Sequence, residues 1–273
     1  MSHPVQRRRR AGAGVGRTQS AISMQVKRLE EIVGVAMFAR TRTTVDLTPA
    51  GETLLGYALR LLRLNDEALA RLHEPEANGL VRIGAPDDYT SVLLPPVLAA
   101  FSKAYPLIQV EVTCESSQDL PPLLNEGRID LALASHAPDS PVGAAIRHEP
   151  LHWVAAPDFT CEPDAILPVV AAPQGCVCRA QALQALDSIG RPWRMAYTTR
   201  SLALIQSAVS AGLGVAALEA ATIAEPLVVL DGRPGFPPLP GVVIGLHSPP
   251  GRRNRAVDLA ADHIARGLGM AQG

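Results

Sequence analysis

Three groups of residues in this chain have the types and spacing to do chemistry. The first lies near the start, where Ile22, Val26 and Leu29 recur at i, i+4 and i+7 and Gly34 follows as a stop. That pattern predicts a helix over 18–33 with Thr18 as its N-cap. The face opposite the apolar stripe carries Ser20, Ser23, Met24, Lys27 and Glu31, with Arg28 at its flank. Short hydroxyls near a helix start and cations further along suit a helix inserted N-terminus first into a DNA major groove, where base edges and phosphates lie within reach. Any amphipathic surface helix has such a face, so a solvated helix stays open on this feature alone.

The second group is a set of hydroxyls and carboxylates just beyond expected strands: Asp87, Asp88, Tyr89, Thr90 and Ser91, then Ser116 and Ser117, Ser135 and His136, and Thr198 to Ser201. In open α/β sheets ligands sit beyond the carboxyl ends of strands, where helix N-termini present free amides. Thr90, Ser116, Ser135, Thr199 and Ser201 are therefore the expected hydrogen-bonding residues of a ligand site. For each one a helix cap without a ligand is the alternative. Asp87 and Asp88 beside such a mouth repel an anion unless Arg200 offsets them.

The third group is Cys114, Cys161, Cys176 and Cys178. Only the last two are close, as Cys-x-Cys, which matches neither zinc-ribbon nor thioredoxin-type spacing. With His148 and His152 as the nearest histidines, the expectation is reduced thiols and no metal or other cofactor. Enzyme signatures are also missing: no Gly-x-Ser-x-Gly elbow, no phosphate loop and no His-Glu-x-x-His occurs. Asp87 with Asp88, or Asp130 with His136, is the nearest thing to an acid–base pair, and adjacent loop carboxylates are usually turn or cap residues. The expectation is a protein that is not an enzyme.

The elements that must position these groups follow from pattern and charge. Residues 1–44 hold nine Lys and Arg against two acids, a net of +7, while the other 229 residues hold 16 against 24, a net of −8. A basic head on an acidic body points to one nucleic-acid-facing module, because phosphate neutralisation supplies most sequence-independent affinity. A solvated arginine tail is the plainer alternative. After the first helix, Val35 to Arg40 leads into Thr41-Arg42-Thr43-Thr44 and Val45-Asp46-Leu47, a hairpin-like stretch that is a candidate wing. Its Arg40 and Arg42 are of the types that contact phosphates. Thr48-Pro49-Ala50-Gly51-Glu52 is then a strong helix start, with Thr48 as N-cap and Pro49 at the first helical position.

Here the chain resembles the LysR-type transcriptional regulators. Gln19-Ser20-Ala21-Ile22-Ser23, Lys27-Arg28-Leu29-Glu30-Glu31, Gly34-Val35, Phe38-Ala39-Arg40 and Leu47-Thr48-Pro49-Ala50-Gly51 are similar to their recognition helix, wing and linker-helix start, in unbroken order. The resemblance implies that Thr18, Gln19, Ser20, Ser23, Lys27 and Arg28 face double-stranded DNA, with Arg40 and Arg42 on its backbone. It stops before about Arg10, since Met1 to Arg9 has only Val5 as an aliphatic residue and cannot write the family's apolar first helix. An altered or incomplete winged helix-turn-helix over 1–47 is therefore expected.

The helix from Pro49 to about His73 sets Leu54, Ala58, Leu61, Ala68 and Leu72 on one face and Leu55, Leu62 and Leu69 on an adjacent seam. It has more apolar surface than one neighbour would cover, which suits pairing with its own copy, an intrachain bundle being the alternative. Residues 48–78 thus form a linker, and the partner is the chain itself, as a dimer or, by resemblance, a tetramer. From 79 to 273 strands and helices alternate as in parallel α/β sheets. Strands are expected at 80–85, 108–114, 129–134, 167–172, 194–198, 214–218 and 242–247. Val81-Arg82-Ile83-Gly84, Leu94-Pro95, Gly127-Arg128-Ile129-Asp130-Leu131-Ala132 and Ala211-Gly212-Leu213-Gly214-Val215 resemble the family's effector-binding domain, an α/β domain of the two-lobed periplasmic-binding-protein fold. That implies lobe one at 80–157 plus 238–273, lobe two at 158–237, and a small-molecule effector in the cleft between them.

The apolar stretch Leu202 to Leu218 is broken by Gln206, Ser207, Ser210, Gly212 and Gly214, too often for a membrane span. Arg17 likewise ends the segment after Arg7 to Arg10 before a signal-type apolar core forms. A cytoplasmic protein with no membrane partner is expected. The function expected is effector-modulated regulation of transcription by DNA binding. The alternative is an effector-binding, dimerising protein that has lost DNA binding through its altered N-terminus. A free-standing solute-binding protein ranks third, opposed by the missing signal segment.

Overall fold

The structure, a computed structural model, describes residues 19–40, 45–73, 77–140, 143–162, 165–249 and 254–269. The chain divides into two compact units with the boundary between Asp66 and Glu67.

In the first unit helix α1 (Gln19–Val33) ends at Gly34, whose φ of +78° turns the chain out while its amide still bonds the Glu30 carbonyl at 2.9 Å. This is the left-handed stop that glycine permits at low cost. Strands β1 (Phe38–Arg40) and β2 (Val45–Leu47) pair antiparallel, Phe38 opposite Leu47, as the wing expectation requires. Helix α2 (Pro49–His73) opens with Thr48 Oγ1 accepting from the Gly51 amide at 3.0 Å. The same hydroxyl donates to the Ala36 carbonyl at 2.7 Å, so one residue both caps the helix and ties it to the hairpin.

The second unit holds a five-stranded sheet of order β4-β3-β5-β12-β6, built from β3 (Asn78–Ala85), β4 (Leu107–Cys114), β5 (Leu131–His136), β6 (Ala144–Glu149) and β12 (Val242–His247). A π-helical turn (Tyr89–Leu93), α3 (Leu94–Ala104) and α4 (Leu120–Asn125) lie between the early strands, and α7 (Arg255–Gly269) closes the chain. Ile83, Phe101, Leu131, Leu133, Ile244 and Ile264 form the buried core between this sheet, α3 and α7. Each such side chain contributes about 1.5–3 kcal/mol by leaving water.

The remaining strands are β7 (Leu151–Ala155), β8 (Leu167–Ala171), β9 (Trp193–Thr198), β10 (Ala216–Glu219) and β11 (Val228–Val229), with helices α5 (Val177–Ser188) and α6 (Leu202–Ser210). They form the sheets β10-β7-β11 and β8-β9, linked by a bridge between Val169 and Val215. Trp153, Leu167, Val169, Leu186 and Leu230 pack on one side; Val154, Val170, Leu202, Ile205 and Val209 pack on the other.

Two expectations change. The large sheet is mixed: β3 runs parallel to β4 and β5, but β12 runs antiparallel to β5 and β6. Strand β7, which the expected division at 157/158 groups with the large sheet, bonds to β10 and β11 instead. Neither β6 nor β7 stood out in the sequence, since charged residues mask the alternation of one and the other follows a proline with hardly a break.

Candidate DNA-facing helix and effector cleft

On α1 the residues Ser20, Ser23 and Lys27 fall at i, i+3 and i+7, one stripe of the helix. Ser23 is half-buried, and Lys27 and Arg28 are exposed. Lys27 lies 3.9 Å from Glu31 on the surface, a pairing weak enough for a phosphate to replace. The backbone of Gln19, Ser20 and Arg40 is described, whereas Thr18 and Arg42 lie outside the described residues. Glu30 points to the wing: its Oε1 accepts from the Met37 and Phe38 amides at 2.8 and 3.3 Å. Helix face and wing are thereby held in one arrangement, with Met37 as the buried anchor.

In the second unit a cavity of about 140 Å³ opens where the carboxyl ends of β3, β4 and β5 face those of β8 and β10. Asp87 joins the two sides: its Oδ2 accepts from the Leu202 amide at 2.6 Å, capping α6 across the cleft. Arg200 at the mouth reaches Glu115 at 3.5 Å and Asp119 at 3.6 Å, and Arg179 donates to the Ala172 carbonyl at 3.0 Å. Behind the cavity wall the fully buried Tyr89 donates its hydroxyl proton to Glu219 Oε1 at 2.9 Å, with Ser135 Oγ 2.8 Å away. Cys178 bonds the same Glu219 oxygen at 3.7 Å.

Burial dominates the electrostatics here. It pushes the Glu219 carboxyl well above its usual range, and the charge of Asp88 adds to the effect. Asp88, whose Oδ1 caps the Tyr89 amide at 3.0 Å, is itself raised by burial to about 6. The hydrogen bond with Cys178 brings the Cys176 thiol down to about 7, and the same bond with burial drives Cys178 well above the ordinary thiol value. Cys114, Cys176 and Cys178 line the cavity and all four cysteines are free thiols. Among the described residues no cluster has the composition of a metal site.

Of the five hydroxyls expected at the ligand site, Ser116 and Ser135 line the cavity and Thr90, Thr199 and Ser201 do not. Thr90 Oγ1 bonds back to the Asp87 carbonyl at 3.1 Å, and Thr199 Oγ1 accepts from the Ser201 amide at 3.3 Å, so these cap their own turns. Ser116 bonds Asp119 at 2.5 Å and shares its side chain with that cap. Asp130 is structural, its Oδ2 accepting from the Arg82 amide at 2.8 Å, and it sits before β5 while His136 ends that strand. Those two cannot work as an acid–base pair. Sequence reasoning missed Glu219. It ended the strand at Leu218, one residue short of the carboxyl-end position that the strand-end rule singles out.

The comparisons agree with this architecture. Residues 7–52 match the family model described as "Bacterial regulatory helix-turn-helix protein, lysR family", and 75–269 match "LysR substrate binding domain". The first match begins at Arg7, ahead of Arg10 where the resemblance in the quoted motifs stops, and a head that has lost DNA binding is not favoured. The chain is 38% identical to the HTH-type transcriptional regulator DgdR of Burkholderia cepacia over 96% of this chain and 89% of that protein. It is 34% identical to the HTH-type transcriptional regulator PecT of Dickeya dadantii, over 84% and 73%. Among solved structures, HinK of Pseudomonas aeruginosa superposes with a TM-score of 0.56 at 21% identity, over 96% of this chain and 93% of that one. Full-length CbnR complexed with its target DNA does so with a TM-score of 0.54 at 19% identity, over 95% and 94%. At those identities the structures speak for the fold, whereas the family matches and the curated relatives speak for the lineage: the chain belongs to the LysR family of bacterial transcriptional regulators.

Proposed function

We propose that this regulator reads its operator with the α1 face and changes its DNA affinity when a small molecule occupies the cleft of the second unit. The parts are a head at 1–47, a pairing linker at 48–78 and an effector domain at 79–273 whose lobes meet at Pro150 and again near 240. Thr18, Gln19, Ser20, Ser23, Lys27 and Arg28 contact the major groove, with Arg40 and Arg42 on the backbone. Ser116 and Ser135 bond the effector, while Thr90, Thr199 and Ser201 hold the turns around it. Such a protein is no enzyme. Among the described residues no helix is long and apolar enough to cross a membrane, and a DNA target places the work in the bacterial cytoplasm. The observation that carries the reading is the Ser20, Ser23 and Lys27 stripe inside the segment that matches the family's helix-turn-helix.

The test is selection of genomic DNA fragments by the purified chain at about 50 and 200 mM salt, a range over which several phosphate contacts weaken binding by orders of magnitude. Selective, salt-sensitive enrichment is expected. Lys27→Ala is expected to weaken all sequences and lower the salt slope by about one, and Ser23→Ala to weaken the operator alone. Sequence-independent effects from both substitutions refute the base-reading role. For the cleft, low-molecular-weight bacterial extract is expected to shift operator affinity of the native chain but not of Ala172→Trp, which fills the cavity. An equal shift in both removes the cleft from the mechanism.

A further inference from the structure

The chemistry of the cleft defines the class of molecule it takes. Four carboxyl groups line the cavity, Asp87, Asp88, Glu115 and Glu219, against two guanidinium groups, Arg179 and Arg200. Both cations already have protein acceptors: Arg179 the Ala172 carbonyl, Arg200 the carboxylates of Glu115 and Asp119. Asp87 is engaged by the Leu202 amide. Glu219 is different, being 2% exposed with its Oε2 lacking any hydrogen-bond partner. The unmet demand of this site is thus for a partner to Glu219 Oε2, because a buried polar atom without one costs its desolvation, and the excess of carboxyl groups around it favours a partner of positive charge. Around it the wall is apolar, with Val169, Val177, Leu183, Leu202 and Ile205, which fits a small hydrocarbon body.

We propose that the cleft binds a small apolar molecule carrying a protonated amine, its ammonium group seated against Glu219 and Asp88. The inference rests on the effector reading above and narrows it to one ligand class. Glu219 is faced by Tyr89 and Asp88 from the π-helical turn and its cap, by Cys178 from α5, and by Glu149 at the end of β6, which pairs with Arg147 at 2.6 Å. No free cation competes in that set. Burial raises the Glu219 carboxyl in the empty cleft and an adjacent ammonium lowers it, so binding is expected to release protons to solvent and affinity to rise with pH.

Calorimetric titration of the full chain with isopentylamine, isopentyl alcohol and isovalerate, which share one carbon skeleton, tests this. The amine is expected to bind at least about tenfold tighter than the other two. Its heat is expected to differ between buffers of unlike ionisation enthalpy, reporting the released proton. Glu219→Gln, equal in shape, is expected to weaken amine binding about tenfold and to reduce the proton release to the part that Asp88 supplies; Asp88→Asn is expected to weaken binding with the Glu219 part of the release kept. Should Glu219→Gln unfold, Asp88→Asn carries the test. Amine binding no tighter than that of the alcohol or of isovalerate overturns the proposal, as does unchanged affinity in both folded variants. If the alcohol or isovalerate binds better and shifts operator affinity, the amine class falls and the effector reading stands. If the amine binds as expected yet leaves operator affinity unchanged, the ligand class stands and the regulatory role of the cleft falls.

Discussion

His136 and His247 end neighbouring antiparallel strands with their Nε2 atoms 2.7 Å apart. One ring must donate and the other accept, which requires the accepting ring to be uncharged. Burial lowers each imidazole below its ordinary 6.5, and His136 lowers His247 further. At these two rings the unfolded chain therefore takes up more protons than the folded one as pH falls below 6.5, so the pair's contribution to stability drops in that direction and is flat above it. In thermal unfolding scans at stepped pH, His247→Gln is expected to lose less stability on acidification than the native chain. Parallel curves for the two would show that the pair does not control the response. Glu219 makes the same point in the cleft: the state of a buried titratable group is set by what surrounds it, and those surroundings come from three different elements.

At the scale of elements, the junction of α1, the hairpin and α2 is the most constrained part of the head. Thr48 caps α2 and holds Ala36, Glu30 holds Met37 and Phe38, and Gly51 is buried against the chain at Met37. A Cβ added at Gly51 collides with the Met37 carbonyl oxygen, which explains glycine in the Leu47-Thr48-Pro49-Ala50-Gly51 run. Gly51→Ala is expected to destabilise the head by about 1–3 kcal/mol, seen as a lower unfolding temperature and weaker operator binding. An unchanged unfolding temperature would mean that the junction relaxes freely. The cap and the proline of α2 are legible in sequence because they depend on neighbours within a few residues. The antiparallel β12 is not, since its direction follows from the side on which the chain comes back from the smaller sheets. The one-residue error at Glu219 arose likewise: hydropathy ends a strand at its last apolar residue, while its hydrogen-bonded ladder to β7 runs on to Glu219, opposite Leu151.

For the whole molecule the outstanding question is assembly. Helix α2 leaves Tyr57, Leu61 and Leu62 exposed at 59, 67 and 50%, and apolar residues in that register bury their surface when two helices pair. Leu61→Glu is expected to shift the chain toward monomer in sedimentation velocity and to weaken operator binding, since two heads on one DNA gain from their linkage. A native-like sedimentation coefficient would assign pairing to another surface. Two things about this protein were determined by sequence alone. The uneven charge, net +7 in 1–44 and −8 beyond, singled out the DNA-facing head, and local periodicity and capping residues located α1, the hairpin and α2. Only the tertiary structure decided what the cleft contains. Tyr89 meets Glu219 across 130 positions and Asp87 meets the Leu202 amide across 115. Helical period and capping act between residues a few positions apart, whereas contacts of that separation exist only after the sheets have closed on each other.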